Sequence, residues 1–172
     1  MKKTSIAVLV ALLLISLPLV YWKLGGFEPV TIRLENREDI RLLGLMYRGT
    51  PQDPGMLGTF RQIEEVMSKY PESRLHTIYY TEPAGKLDTL EVFVGVEYQE
   101  EIHELENLDL KVIACSQVVV AVIEAHRLVM PSPEKMKAEI EAFAQNRNIS
   151  TQGVYVDKIM DDRRVEVIAP VK

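Results

Sequence analysis

Two segments far apart in the chain read as the same strand. Leu90-Glu91-Val92-Phe93-Val94-Gly95-Val96 and Val165-Glu166-Val167-Ile168-Ala169-Pro170-Val171 are apolar runs, each interrupted by a glutamate. A tyrosine precedes each glutamate by the same eleven positions, Tyr80 before Glu91 and Tyr155 before Glu166. Matched residues at equal spacing point to one strand–turn–strand unit used twice. An internal duplication restricts the fold strongly, because both copies must bury like faces around one shared core.

What lies between the copies fits two half-domains. Val30 to Leu34 alternates with period two, and Arg41 to Arg48 reads as a more buried strand. After the turn residues 49–55, Met56, Phe60, Ile63, Met67 and Tyr70 form one helical stripe, ended by Pro71. Strands are expected at 75–81 and 89–98, followed by an acidic connector from Gln99 to Asp109. The second half opens with 110–114 and 117–125. There Val118 to Ile123 is too uniformly apolar for a strand with one wet face, which predicts cover on both sides. Ser132 and Pro133 carry the chemistry of a helix start, with Met136, Ile140 and Phe143 as the buried stripe. Strands near 152–160 and 163–169 flank an Asp161-Asp162 turn. The expected fold is α+β: two strand–helix–strand–strand modules, about 30–98 and 110–172, with two helices on a mainly antiparallel sheet.

The amino terminus has a different composition. After Met1-Lys2-Lys3, the nineteen residues Thr4 to Trp22 carry no charge and end in Tyr21-Trp22-Lys23. A helix of that length spans about 28 Å, near the hydrocarbon thickness of a bilayer, with aromatic residues at its edge. The large residues Leu19 to Trp22 offer no signal-peptidase site. Residues 1–23 therefore read as an uncleaved single-pass anchor and 24–29 as a short linker. Lys2 and Lys3 favour the extracytoplasmic side for the domain, residues 30–172, while Lys23, Arg33, Arg37 and Arg41, also within or near the zone that counts, favour the reverse.

Charge excludes one class of partner. Without Lys2, Lys3 and Lys23 the chain holds 17 basic against 25 acidic residues. Such a surface repels phosphate backbones, so nucleic acid is not an expected partner. His76, His103 and His126 are scattered, no metal or other cofactor is expected, and no nucleophile elbow or phosphate-binding glycine loop occurs. Cys115, the single cysteine, reads as a buried small hydrophobe.

Three segments carry a family likeness. Leu42-Leu43-Gly44-Leu45-Met46-Tyr47-Arg48-Gly49, Ile78-Tyr79-Tyr80-Thr81-Glu82-Pro83 and Val165 to Val171 resemble, in order, the opening strand, middle strand and terminal strand of GyrI-like effector-binding domains. The resemblance covers about Val30 to Lys172. It implies two modules about a pseudo-twofold axis with a small-molecule groove between them. No helix-turn-helix accompanies it, so a role in DNA binding does not carry over. Strand alternation puts Glu91 and Phe93, and likewise Glu166 and Ile168, on the face away from the aliphatic residues expected to meet the helices. That face is the expected groove. By resemblance Glu166 matches the family's ligand-binding glutamate, with Tyr80, Tyr155 and Tyr47 as candidate aromatic walls. The plainer alternative for Glu166 is a solvated carboxylate paired with Arg163 or Arg164, and for Tyr80 and Tyr155 ordinary sheet tyrosines.

The function expected is non-enzymatic binding of a small amphipathic or cationic molecule by a membrane-anchored domain. The alternatives are a hydrolase using Glu166 as general acid/base, and a protein-interaction module.

Overall fold

The structure, a computed structural model, describes the backbone of residues 3–81, 85 and 88–172, and their side chains except those of 3–11, 15, 104 and 105. The turn Glu82-Pro83 of the second family-like segment lies outside the described residues. Helix α1 (Lys3–Lys23) leads into β1 (Thr31–Asn36), β2 (Ile40–Gly49), α2 (Pro54–Lys69), β3 (Leu75–Thr81) and β4 (Leu90–Glu97). The short α3 (Glu100–Leu105) connects to β5 (Asp109–Ile113), β6 (Gln117–Glu124), α4 (Pro133–Gln145), β7 (Val156–Ile159) and β8 (Arg164–Pro170).

All eight strands form one antiparallel sheet in the order β1-β6-β8-β7-β3-β4-β2-β5. The order is its own mirror under exchange of the two halves. It places β2, β4 and β3 opposite β6, β8 and β7 about the β3–β7 seam. The fold class is therefore α+β with duplicated modules, as the repeat implied. The leading strands, however, are exchanged: β1 precedes β2 in sequence but pairs with β6, and β5 precedes β6 but pairs with β2.

This exchange forces the sheet to curl. In a flat sheet β1 and β2 would lie six spacings apart, about 29 Å. Yet Asn36 and Ile40 are joined by residues 37–39, a link that reaches about 14 Å. The β5–β6 link, residues 114–116, imposes the same limit from the other edge. The two links meet: the Arg37 amide donates to the Ser116 carbonyl at 3.0 Å, and the Cys115 amide to Asp39 Oδ1 at 3.0 Å. Gly44 and Gly95, directly paired on β2 and β4, permit the tight coiling; a Cβ at Gly95 would meet Leu43 O at 2.4 Å and the Phe93 ring at 2.9 Å.

The two sheet faces are consequently covered in different ways. On one face α2 lays Ile63 and Val66 on Leu43, Val92, Val94 and Val96, and α4 lays Met136 and Ile140 on Val119, Ala121, Ile123 and Val167. The far face covers itself: Leu42, Ile78, Phe93, Val118, Val120, Val156 and Ile168 form one buried cluster drawn from both modules. Val118 to Ile123 is indeed buried alternately on both sides.

Both major helices start as their sequences dictate. Asp53 accepts the Gly55 amide at 2.7 Å ahead of Pro54, and Ser132 accepts the Lys135 amide at 3.4 Å ahead of Pro133. The first of these caps was hidden in a stretch read as loop. Among the described residues no helix is long and apolar enough to cross a membrane. On the described part of α1, Leu12, Leu13, Leu14, Leu17, Leu19 and Val20 are all exposed, with the polar Ser16 and Lys23 among them.

Candidate functional site

The two helices part over the seam, and a cleft opens between them. Phe60 of α2 stands on one side; Pro133, Glu134, Met136 and Lys137 of α4 stand on the other. The floor is Thr77 and Tyr79 of β3, Asp157 and Ile159 of β7, and Val165 and Val167 of β8. Two adjoining recesses share Tyr79, Pro133, Asp157 and Val165; one has a volume of about 450 Å³, the other, deeper under α4, about 160 Å³. The larger falls in the range of small-molecule sites, roughly 300–1,000 Å³. Asp157 and Thr77 are cross-strand partners, so the floor carboxylate stands beside the pseudo-twofold axis.

The walls are aromatic and aliphatic, and their polar groups are fixed. Tyr155 donates its hydroxyl to Glu141 Oε1 at 2.6 Å, and the Thr151 hydroxyl donates to the same oxygen. Burial, reinforced by that carboxylate, pushes the Tyr155 phenol up to about 12, so it remains a neutral donor rather than a base or nucleophile. The Lys137 ammonium lies 5.2 Å from the centre of its ring. At the rim, the Ser132 hydroxyl and the residue's own backbone amide hold the Glu134 carboxyl below the usual range, which keeps it ionised.

The structure redistributes the residues singled out in the sequence. Tyr155 lines the cleft; the other candidates do not line it. Phe93 and Ile168 are packed in the self-covered core, where their side chains help to fill the face expected to be open. Glu166 is on that face too, its Oε1 bound by Arg164 Nη2 at 3.0 Å; this is the Arg164 pairing of the plainer alternative, but the carboxylate is mostly buried on a strand inside the sheet rather than solvated. Glu91 sits half-buried between Arg48 and Thr81 of the neighbouring strands. Tyr80 faces away from the helices, with Lys111 5.1 Å from its ring centre. Tyr47 packs beside α2 and donates to the Thr50 carbonyl at 3.2 Å, bracing the β2–α2 turn. The helix-lined cleft is therefore on the face opposite to the one where the groove was expected; on that other face Ile168, with Leu42, His76 and Glu97, lines a separate recess of about 260 Å³.

Plain alternation explains why Tyr80 misled. Tyr80 adjoins Tyr79 on β3 and so points to the opposite face, and the β3–β4 register shift between Tyr79 and Thr81 comes only after Tyr79. The equal spacing of eleven in the sequence pairs Tyr155 with Tyr80, but the tyrosine that shares the cleft with Tyr155 is Tyr79. Asp157 was missed as well. The signal available was a carboxylate inside a strand-like run beside Tyr155. Among the described residues no cluster of three or more His, Cys, Asp or Glu is placed to hold a metal ion.

With this geometry in hand, the chain can be set beside known proteins. No family model matches the sequence, and no curated protein matches it. Solved structures do share its fold. A hydrolase encoded by lin2189 from Listeria innocua aligns over 88% of this chain and 98% of its own at 10% identity, with a TM-score of 0.60. The EcmrR C-terminal domain covers 83% of this chain and 98% of its own at 13% identity and TM-score 0.53. SAV2435, solved bound to tetraphenylphosphonium, covers 83% and 94% at 11% identity and TM-score 0.51. At such identities what is shared is the fold, and it agrees with the GyrI-like likeness of the sequence motifs.

Proposed function

We propose that this chain is a membrane-anchored, non-enzymatic binding domain that takes a small amphipathic or cationic molecule into the groove between α2 and α4. The observation that carries this reading is the groove's make-up: Phe60, Tyr79 and Tyr155 around a floor bearing Asp157, with Glu134 at the rim. Aromatic faces attract a cation through their quadrupole, and a carboxylate in an apolar cleft favours a cationic or hydrogen-bonding guest. SAV2435, of like fold, is bound to a hydrophobic cation, which is further support.

Titration of the chain with tetraphenylphosphonium, followed by thermal unfolding, tests it. Unfolding temperature rises with ligand, and Tyr79→Ala and Asp157→Asn both diminish the rise. An absent shift, or one that survives both substitutions, defeats the reading.

Hydrolysis is the second reading, favoured by the Listeria innocua neighbour described as a hydrolase. In this chain the carboxylates at the groove are Asp157 and Glu134, so Asp157 takes the acid/base role first considered for Glu166. Turnover of an activated ester that vanishes in Asp157→Asn would replace the binding-only account.

The anchor is residues 4–22, with the domain on the extracytoplasmic side. The exposure of Leu12, Leu13, Leu14, Leu17, Leu19 and Val20 on α1 supports the anchor, and Lys2 and Lys3 support the orientation. Resistance to alkaline carbonate extraction and protease access from outside the cell are the expected results.

A further inference from the structure

The end of α1 is fastened to the domain, although residues 24–29 read as a simple linker. Gly25, at φ +83, closes the helix: its amide donates to the Trp22 carbonyl at 2.9 Å, and Gly26 donates to that of Tyr21 at 3.0 Å. The last two carbonyls are then taken up by the domain. His126 N donates to Leu24 O at 2.8 Å, and Arg163 Nη2 to Lys23 O at 3.3 Å. A Cβ at Gly25 would lie 3.0 Å from Glu124 O and 3.2 Å from Ala125 Cα, so the chain is pressed against the end of β6. Phe27 folds back edge-on to Tyr21, ring centres 4.9 Å apart.

These contacts gather exposed apolar side chains around the junction of α1 and the domain. Leu128 is 75% exposed, Phe27 67% and Trp22 62%; no large apolar side chain among the described residues is more exposed than Leu128. The turn carrying Leu128 hangs from the Leu24 carbonyl, two residues beyond Trp22, so the turn lies against the C-terminal end of α1. Arg127 and Arg163 are exposed beside it.

We propose that the turn 126–130, together with Trp22 and Phe27, is a seat that presses into the bilayer interface and holds the domain on the membrane in one orientation. This rests on the reading of residues 4–22 as a membrane anchor. Lipid is the occupant because the exposed apolar side chains of α1, Leu12 to Leu14, Leu17, Leu19 and Val20, lead to Trp22, Phe27 and Leu128 at its end, with the exposed Lys23 and Glu28 among them. Aromatic rings, with long cations that can reach outward to water and phosphate, then mark its boundary. Glu28, Glu124 and Asp161 share the recess beside Trp22, so the seat is apolar in its attraction and does not call for anionic headgroups. Asp161 accepts the amides of Arg163 and Arg164, and Glu124 pairs with Arg164. One consequence concerns the groove: Met130 and Pro131 line it directly after the seat, with Ile123 and Val165 from the same strand ends. Its apolar end faces lipid, and the class of ligand it suits is an amphiphile that already partitions into the membrane.

The test uses the full chain in phosphatidylcholine vesicles, on a Cys115→Ser background. A fluorophore is attached at Leu128→Cys, with Arg127→Cys as a second site, and at Glu38→Cys as control. Glu38 follows Asn36, the partner of Gln117 at the opposite end of β6, about 23 Å of strand away. Lipids carrying a shallow nitroxide quench the label at 128 or 127 several-fold more strongly than that at 38, if the seat exists. A chain that floats with the vesicles but shows equal quenching at all three positions overturns the seat and leaves the anchor standing. A chain that does not float removes the anchor and the seat together.

Discussion

The two faces of the sheet are built from similar side chains yet close in different ways. On the far face, residues of both modules meet each other across a curled sheet, and Leu42, Ile78, Phe93, Val118, Val120, Val156 and Ile168 pack into one buried cluster, with a recess of about 260 Å³ at its margin beside Leu42, His76 and Ile168. On the near face two separate helices supply the cover, and two cylinders about 10 Å across cannot both lie on the seam without parting somewhere. They part over β3 and β7, and the cleft follows. Capacity to bind is thus a property of how a face is covered, not of where its carboxylates stand. Glu166 is on the closed face and Asp157 on the open one.

The largest effects should come from the closed face and should be effects on stability alone. Phe93→Ala removes a ring from the shared core and is expected to cost about 3–5 kcal/mol in urea unfolding. Gly95→Val, which drives a side chain into Leu43 O and the Phe93 ring, should cost roughly 1–3 kcal/mol or prevent folding. In both, the tetraphenylphosphonium-induced shift of any folded protein stays at its wild-type size. A Phe93→Ala protein that keeps its stability and loses the ligand shift would erase the distinction between the faces.

The open face should show the reverse pattern. Tyr79→Ala and Asp157→Asn are each expected to weaken tetraphenylphosphonium binding about tenfold, a change of about 1.4 kcal/mol, measured by calorimetric titration. Tyr155→Phe sharpens the point. It deletes the hydroxyl bound to Glu141 but keeps the aromatic wall, so binding should change less than in Tyr79→Ala.

A smaller effect belongs to acid pH, and it tests how the closed face is held at its edge. His76 is buried, and burial pushes its imidazole below the ordinary value of 6.5; Lys158 and Arg37 add to this, while Glu97 and the Arg74 carbonyl oppose it. Below 6.5 the unfolded chain takes up a proton that folded His76 refuses, so stability declines as pH falls toward the folded value. Glu97 acts in the same direction. Desolvation raises its carboxyl, but His76, the Lys158 ammonium 2.6 Å away and the Arg74 amide outweigh it and hold it below 4.5. Its contribution is complete above that value and is lost in stronger acid. His76→Gln should flatten the stability profile just below about pH 6.5 and, because His76 is foremost among the groups holding Glu97 down, should also shrink Glu97's acid limb. An unchanged slope would place the proton uptake on another group.

Much of the fold could be read from local pattern, and the site could be read only in part. The stripe from Met56 to Tyr70, the Ser132-Pro133 helix start and the two-sided burial of Val118 to Ile123 each depend on residues within one element, where periodicity is direct evidence. The exchange of β1 and β5 depends on pairing across the whole chain and leaves no local mark. It is this exchange that curls the sheet and fills the face carrying Phe93 and Ile168. Alternation correctly separated Glu91 and Phe93 from Val92 and Val94, but it could not say which face would be left open. Tyr80 follows Tyr79 on β3 and so points away from the cleft, which equal spacing to a glutamate could not reveal.

Glu166→Gln should have the smallest effect, and it bears most directly on the comparison. The Glu166 side chain is only 15% exposed and holds Arg164 Nη2 at 3.0 Å, while Arg164 Nη1 reaches Glu124 at 3.6 Å and its buried Nε has no hydrogen-bond partner. Neutralising Glu166 leaves an amide oxygen able to accept the same hydrogen bond, so what is lost is the charge in a partly solvated pair, about 1 kcal/mol or less. The groove lies on the other side of the sheet, and its own carboxylates are unaltered. The ligand-induced rise in unfolding temperature should therefore be the same in Glu166→Gln as in the wild type, measured side by side with Asp157→Asn. If Glu166→Gln lost the rise and Asp157→Asn retained it, ligand would be entering the curled face, and the helix-lined cleft would have to be given up as the binding site.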